Sequence, residues 1–246
     1  MDLLSELISS FDPANPHFRP TELYNESWLI KLVFHQTSTI VDETFPLGFL
    51  HGSTWFSEGL LPTAFKARFQ GDPLSESRTN ADGVIGHIRI GAKAKADLEL
   101  EPHATQFTVV EAKVGSPLSK GTSNARYFDQ AARNVACMAE VIARAGKEPS
   151  RFDRLEFIVL APEYSIEKGT FSEEMSRSSI EGKVRKRVDA YEKELDDWFD
   201  ESFTPLLDAI ELRSLSWEDA ISWIREQKPE VAEQMSEYYD LCLKFK

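Results

Sequence analysis

The chain has 246 residues, 41% hydrophobic and 28% charged, the composition of an ordinary water-soluble globular protein large enough to bury a sizeable core. No apolar run approaches the roughly 20 residues that span a bilayer, and the start, Met1-Asp2-Leu3-Leu4-Ser5-Glu6, lacks the basic, apolar pattern of a secretory leader; a cytoplasmic protein with no membrane partner is expected. The net charge of −13 excludes broad, non-specific attraction to nucleic acid unless a local basic patch, a divalent cation or a partner compensates.

In chain order, residues 1–20 hold a short amphipathic stretch with turns at Asp12-Pro13 and Asn15-Pro16. Pro20 and Thr21 open a helix expected to run to about Gln36. Residues 37–80 show no clear period and are expected to form short helices and loops. Asp82-Gly83 reads as a turn before a strand over residues 84–90. Residues 95–100 alternate, with Asp97 and Glu99 on one side and Leu98 and Leu100 on the other. After a turn at 102–105, residues 106–113 form a strand of β-favouring residues.

Ser123 caps a helix over residues 124–144, where Tyr127, Ala131, Val135, Met138 and Ile142 recur at helical spacing. Residues 155–161 are the apolar run of a buried strand. Beyond Pro162, a stripe from Ile180 to Trp198, a capping box at Ser216 to Asp219, and Pro229 opening a helix to about Leu243 predict helices. The order helix, three strands, helix, strand predicts an α/β fold, a mixed central sheet flanked by helices, over residues 1–165. A helical C-terminal extension, residues 166–246, is expected to pack on it. The two cysteines, Cys137 and Cys242, carry no metal or disulfide spacing. Cys137 reads as core.

Glu111 and Lys113 stand two apart on one strand and therefore share a face. Their strand is apolar on both sides, and charges there are costly unless paired or bound to a metal. If residues 102–105 turn the chain back, Asp97 falls opposite Val110, within one residue of Glu111. Two carboxylates and an ammonium at a strand edge suit Mg²⁺ and phosphate oxygens, with the lysine stabilising charge or assisting water activation.

Ala96-Asp97, followed after thirteen residues by Glu111-Ala112-Lys113, resembles the signature of the PD-(D/E)XK nuclease superfamily, with Ala96 in place of the name-giving proline. The element order over residues 20–161 is similar to the αβββαβ core of that restriction-endonuclease-like fold. The resemblance implies a nuclease: a phosphodiester hydrolase using Mg²⁺ or Mn²⁺ on nucleic acid, DNA ahead of RNA. It implies Asp97 and Glu111 as metal ligands, joined by Glu26 of the leading helix and the carbonyl of Ala112. Lys113 and, from the following helix, Gln130 complete the catalytic set. Ser116, Ser119, Lys120 and Gly121 would lie near the phosphate backbone.

Asp82 is a rival metal ligand but reads better as a turn residue, and Glu58 is a rival to Glu26. His17, His35, His51, His87 and His103 show no metal spacing. Lys183, Arg185, Lys186 and Arg187 form the densest basic cluster, a solvated helix face or, alternatively, a phosphate-binding one. A catalytically silent binding or scaffold protein, acting through a protein partner or as a homo-oligomer, is the competing expectation.

Overall fold

The structure, a computed structural model, describes residues 11–12, 17–40, 44–76, 79–91, 97–121 and 124–246. The expected amphipathic start at 1–10, Ala96 and the Ser123 cap lie outside the described residues. After a single turn at Pro20–Leu23, helix α1 spans Glu26–Thr37. Its cap is Asn25, whose side chain accepts from Trp28 N–H, not the expected Thr21. Strands β1 (Thr54–Leu61), β2 (Thr79–Gly86), β3 (Ile88–Ile90), β4 (Leu98–Leu100) and β5 (Gln106–Ala112) follow. Helix α2 (Gln130–Arg144) and strand β6 (Arg154–Ala161) come next, then helix α3 (Arg177–Asp189), strand β7 (Glu211–Ser216), and helices α4 (Trp217–Gln227) and α5 (Pro229–Phe245).

The main sheet is mixed, with order β1-β2-β5-β6-β7. The β1–β2 and β2–β5 pairs are antiparallel, while β5–β6 and β6–β7 are parallel. Every residue of β5 is buried, as a central strand covered on both faces must be. On one face Phe107, Val109, Phe157 and Val159 pack with α2 and α3. On the other, Val110, Ala112, Ile158 and Leu160 pack with α1, α4 and α5. The result is three layers, helices on either side of one sheet.

Three sequence expectations are corrected. Residues 54–61 form strand β1, where short helices and loops were expected. The strand expected at 84–90 starts earlier and breaks at His87. The buried ring of His87 accepts at Nδ1 from the N–H groups of Thr105 and Gln106, and Nε2 donates to the carbonyl of His51. The His87 N–H still donates to the Gln106 carbonyl at 3.2 Å, while its carbonyl accepts from Glu101 N–H at 2.9 Å, so the chain leaves the main sheet at this residue. The segment containing Asp97 does not pair with β5: β4 pairs with β3 in a separate two-stranded sheet.

Gly83 lies within β2 rather than in a turn. A Cβ there would collide with the Phe34 ring and meet Ile30, so this glycine lets α1 approach the sheet closely. The C-terminal third supplies a strand as well as helices. The stripe from Ile180 to Trp198 breaks after α3, where Glu192 and Lys193 take left-handed backbone angles. The Ser216 cap accepts from Asp219 N–H at 2.8 Å, and the last helix starts at Pro229, both as expected. Among the described residues, no helix is long and apolar enough to cross a membrane.

Candidate metal and catalytic site

The site forms where β2 and β5 part. Their ladder runs from Gly86↔Phe107 to Gly83↔Val110, and one more step sets Asp82 opposite Glu111. The strands separate there. Ala112 N–H donates at 2.8 Å to Asp82 Oδ2 instead of to a backbone carbonyl. Because the N–H and C=O of a strand residue face the same neighbour, the Ala112 carbonyl opens on the Asp82 side.

Glu111 is fully buried and Lys113 nearly so. Lys113 Nζ lies 2.5 Å from Glu111 Oε1. Gln130, the first residue of α2, donates from Nε2 to the same oxygen. Asn134, one turn further along α2, donates to Glu111 Oε2 at 3.2 Å. Burial and, second, the Asp82 charge push the Glu111 carboxyl up to about 8, against the opposing effect of Lys113. A side-chain hydrogen bond with Asp82 adds to that rise.

Glu26, at the first position of α1, is half-buried and accepts from Val114 N–H. Burial raises its pKa, the charge of Lys113 opposes that rise, and the charge of Asp82 adds to it. Glu26 and Glu111 therefore both feel the Lys113 ammonium and the Asp82 charge.

No family model, curated protein or solved structure matches this chain.

Of the residues singled out from sequence, Glu26, Glu111, Ala112, Lys113 and Gln130 come together. Asp97 does not join them. It bridges Leu60 on the outer side of β1, so β1 and β2 stand between it and β5. Three inter-strand spacings amount to about 14 Å. The expected hairpin between residues 95–100 and 106–113 does not form, and with it the Asp97 assignment falls. Asp82, read from sequence as a turn residue, occupies the place Asp97 was expected to fill.

Asn134 was missed, although it lies four residues after Gln130 and hence on the same helical face. Its Oδ1 is buried without a hydrogen-bond partner among the described residues. Glu58, the rival to Glu26, lies in β1 opposite Asp82, between the pairs Ser57↔Gly83 and Gly59↔Ala81. Its φ of 57° is left-handed, a strained conformation for a residue with a side chain. Its carboxylate is held by Ser27 Oγ at 3.1 Å.

The C-terminal third buttresses the site. Trp217, fully buried at the start of α4, donates from Nε1 to the Lys113 carbonyl at 2.8 Å. The basic cluster of α3 is largely consumed internally. Lys183 pairs with Asp129 at 2.6 Å, Arg185 with Asp189 and Asp196, and Arg187 is buried beside Glu76.

Among the described residues, no three His, Cys, Asp or Glu side chains converge tightly enough to enclose a metal ion on their own. Mg²⁺ does not require that: one or two carboxylates, with water and substrate phosphate, suffice. Asp82 and Glu111 form such a pair, and their mutual repulsion is what a dication relieves. The donor set therefore fits Mg²⁺ or Mn²⁺.

Proposed function

We propose that this protein is a divalent-metal-dependent phosphodiester hydrolase of the PD-(D/E)XK type, acting on nucleic acid, DNA first. The observation that carries the reading is the juxtaposition of Asp82 with Glu111 and Lys113 at the point where β2 and β5 separate. The order α1, β1, β2, β5, α2, β6 within one sheet supports it. So does the placement of Asp82 on the second sheet strand, at the end of its ladder with the strand that carries Glu111 and Lys113.

Asp82, Glu111 and the Ala112 carbonyl would hold Mg²⁺ or Mn²⁺, with Glu26 at the margin. Bound there, the ion supplies Lewis acidity to the phosphoryl group and eases ionisation of the attacking water. Lys113 brings its side-chain nitrogen to the reacting centre, where it would offset the charge that builds on phosphate oxygens. Gln130 and Asn134 grip one Glu111 oxygen each and fix the carboxylate's orientation. Trp217 fixes the backbone that carries Lys113.

The test is a cleavage panel of single- and double-stranded DNA and RNA with Mg²⁺ or Mn²⁺. Asp82→Asn and Lys113→Ala are expected to abolish cleavage, and Asp97→Asn to retain it. Cleavage surviving in both site variants overturns the assignment.

A second reading, a silent scaffold acting through a protein partner, draws on the net charge of −13 and on the internal pairing of the α3 cations. A chain that cleaves none of these substrates, with or without the variants, favours it.

A further inference from the structure

The loop leaving Lys113 differs from the rest of this acidic chain. Residues 113–128 contain Lys113, Lys120 and Arg126 and no Asp or Glu. Lys120 and Arg126 are exposed. The loop is clamped to the site by Gln130, whose Oε1 accepts from Ser119 N–H at 3.0 Å and from Ser119 Oγ at 3.1 Å. The same Gln130 side chain donates to Glu111. Beside the clamp lies a cavity of about 510 Å³, lined by Lys120, Arg126 and Tyr127, by Lys183 and by Glu173 and Glu174. Lys183 is already paired with Asp129, and Lys186 lies over the Tyr127 ring at 4.1 Å.

One wall of this groove thus offers two cations that pair with no carboxylate among the described residues, and the groove also presents Glu173 and Glu174 beside the Asp129 carboxylate that Lys183 neutralises. We infer, building on the function proposed above, that the groove takes the phosphate backbone of one strand flanking the scissile phosphate, so that the substrate is single-stranded nucleic acid. Lys120 and Arg126 contact successive phosphates. Glu173 and Glu174 repel a second backbone, because a cavity this small keeps them within the roughly 8 Å screening length of physiological salt. The Ser119–Gln130–Glu111 chain links the docked strand to the reacting carboxylate.

The experiment uses the full chain in EDTA, with fluorescein-labelled oligodeoxythymidine and a labelled hairpin duplex, read by anisotropy across a salt series. The wild type is expected to bind the single strand more tightly than the duplex. Lys120→Ala/Arg126→Ala weakens single-strand binding roughly tenfold and lowers the slope of log K against log salt by about 1.4, at about 0.7 for each lost contact. Glu173→Gln/Glu174→Gln narrows the gap between single strand and duplex. Unchanged affinity and slope in the lysine–arginine variant overturn the inference, as does equal or tighter duplex binding or no binding by the wild type. Asp82→Asn separates the two readings, since it keeps binding and loses metal-dependent cleavage. A groove variant that binds normally while Asp82→Asn cannot cleave removes the groove alone. A deficient groove variant beside a fully active Asp82→Asn removes the proposed active site alone.

Discussion

Replacing Glu111 by Gln removes a buried charge without removing its hydrogen bonds. The new amide oxygen accepts from Lys113 and Gln130 as the carboxylate Oε1 does now. The new amide nitrogen needs an acceptor, and Asn134 Oδ1, buried and without a partner among the described residues, becomes one when the Asn134 amide turns over. The energetic consequence follows from the raised carboxyl, 4.5 in the reference state and about 8 in the fold. A group whose folded pKa lies above its unfolded value stabilises the fold fully below the unfolded pKa and loses that contribution as pH rises through the folded one. For Glu111 the window is therefore pH 4.5 to 8. At about 1.4 kcal/mol per pH unit the ceiling is about 5 kcal/mol, and relaxation and water entry bring the expected effect to about 2–3 kcal/mol. Urea unfolding in EDTA from pH 4 to 9 reads it directly. The variant should match the wild type near pH 4.5, gain on it steadily, and level off above pH 8. Parallel stability curves across that window would refute the account of a desolvated, repelled carboxyl.

Metal should reverse this penalty. Mg²⁺ should raise the thermal midpoint of the wild type by mass action, more at pH 8 than at pH 6 because binding must displace a proton, and Asp82→Asn should lose that gain in the same thermal scan. Trp217→Phe should cost about 2 kcal/mol in urea unfolding through the lost bond to the Lys113 carbonyl and the space left in the core, and should slow cleavage without abolishing it. Gly86→Ala should destabilise the fold by more than about 2 kcal/mol, since its Cβ would collide with the Gln106 carbonyl oxygen at the β2–β5 crossing; near-native stability would show that the two strands are less closely paired than described.

Period and composition carried the elements whose stability is local or uniform. The body of α2, the buried strand β6, the Ser216 cap and the Pro229 start of the last helix are legible because apolar spacing and end chemistry are written into consecutive residues; the start of α2 was not, since it lies at Gln130 under an Asp129 cap rather than at residue 124. Strand β1 was not, since Thr54-Trp55-Phe56-Ser57-Glu58-Gly59 shows no clean alternation and bends at Glu58. Asp82-Gly83 misled for a related reason. Glycine after an acidic residue reads as a turn, whereas here it accommodates the Phe34 ring of a packed helix, a constraint imposed by a segment fifty residues away. The site divides the same way. Glu111, Lys113 and Gln130 could be named from one strand and the helix after it. Asp82 could not, because its place depends on which of several short strands pairs with β5, and the chain leaves the main sheet at His87, so that β3 and β4 pair apart from it.

The charge balance of the site bears on whether it is merely structural. A Glu111–Lys113 pair would be complete by itself: one carboxylate, one ammonium, and amide donors from Gln130 and Asn134 to fill the remaining valence. Such a pair is tolerable in a core. Glu26 and Asp82 add two more carboxylates, and the Asp82 charge raises the proton affinity of both Glu26 and Glu111. Nothing in the packing requires an acid at Asp82; its hydrogen bond to Ala112 N–H could be made by an asparagine without the repulsion. The strained backbone of Glu58 flanks the same spot. Excess negative charge where two sheet strands open is consistent with the dication site proposed above, and the Asp82→Asn protein, expected to be more stable without metal and indifferent to it, is the form in which that proposal can be lost.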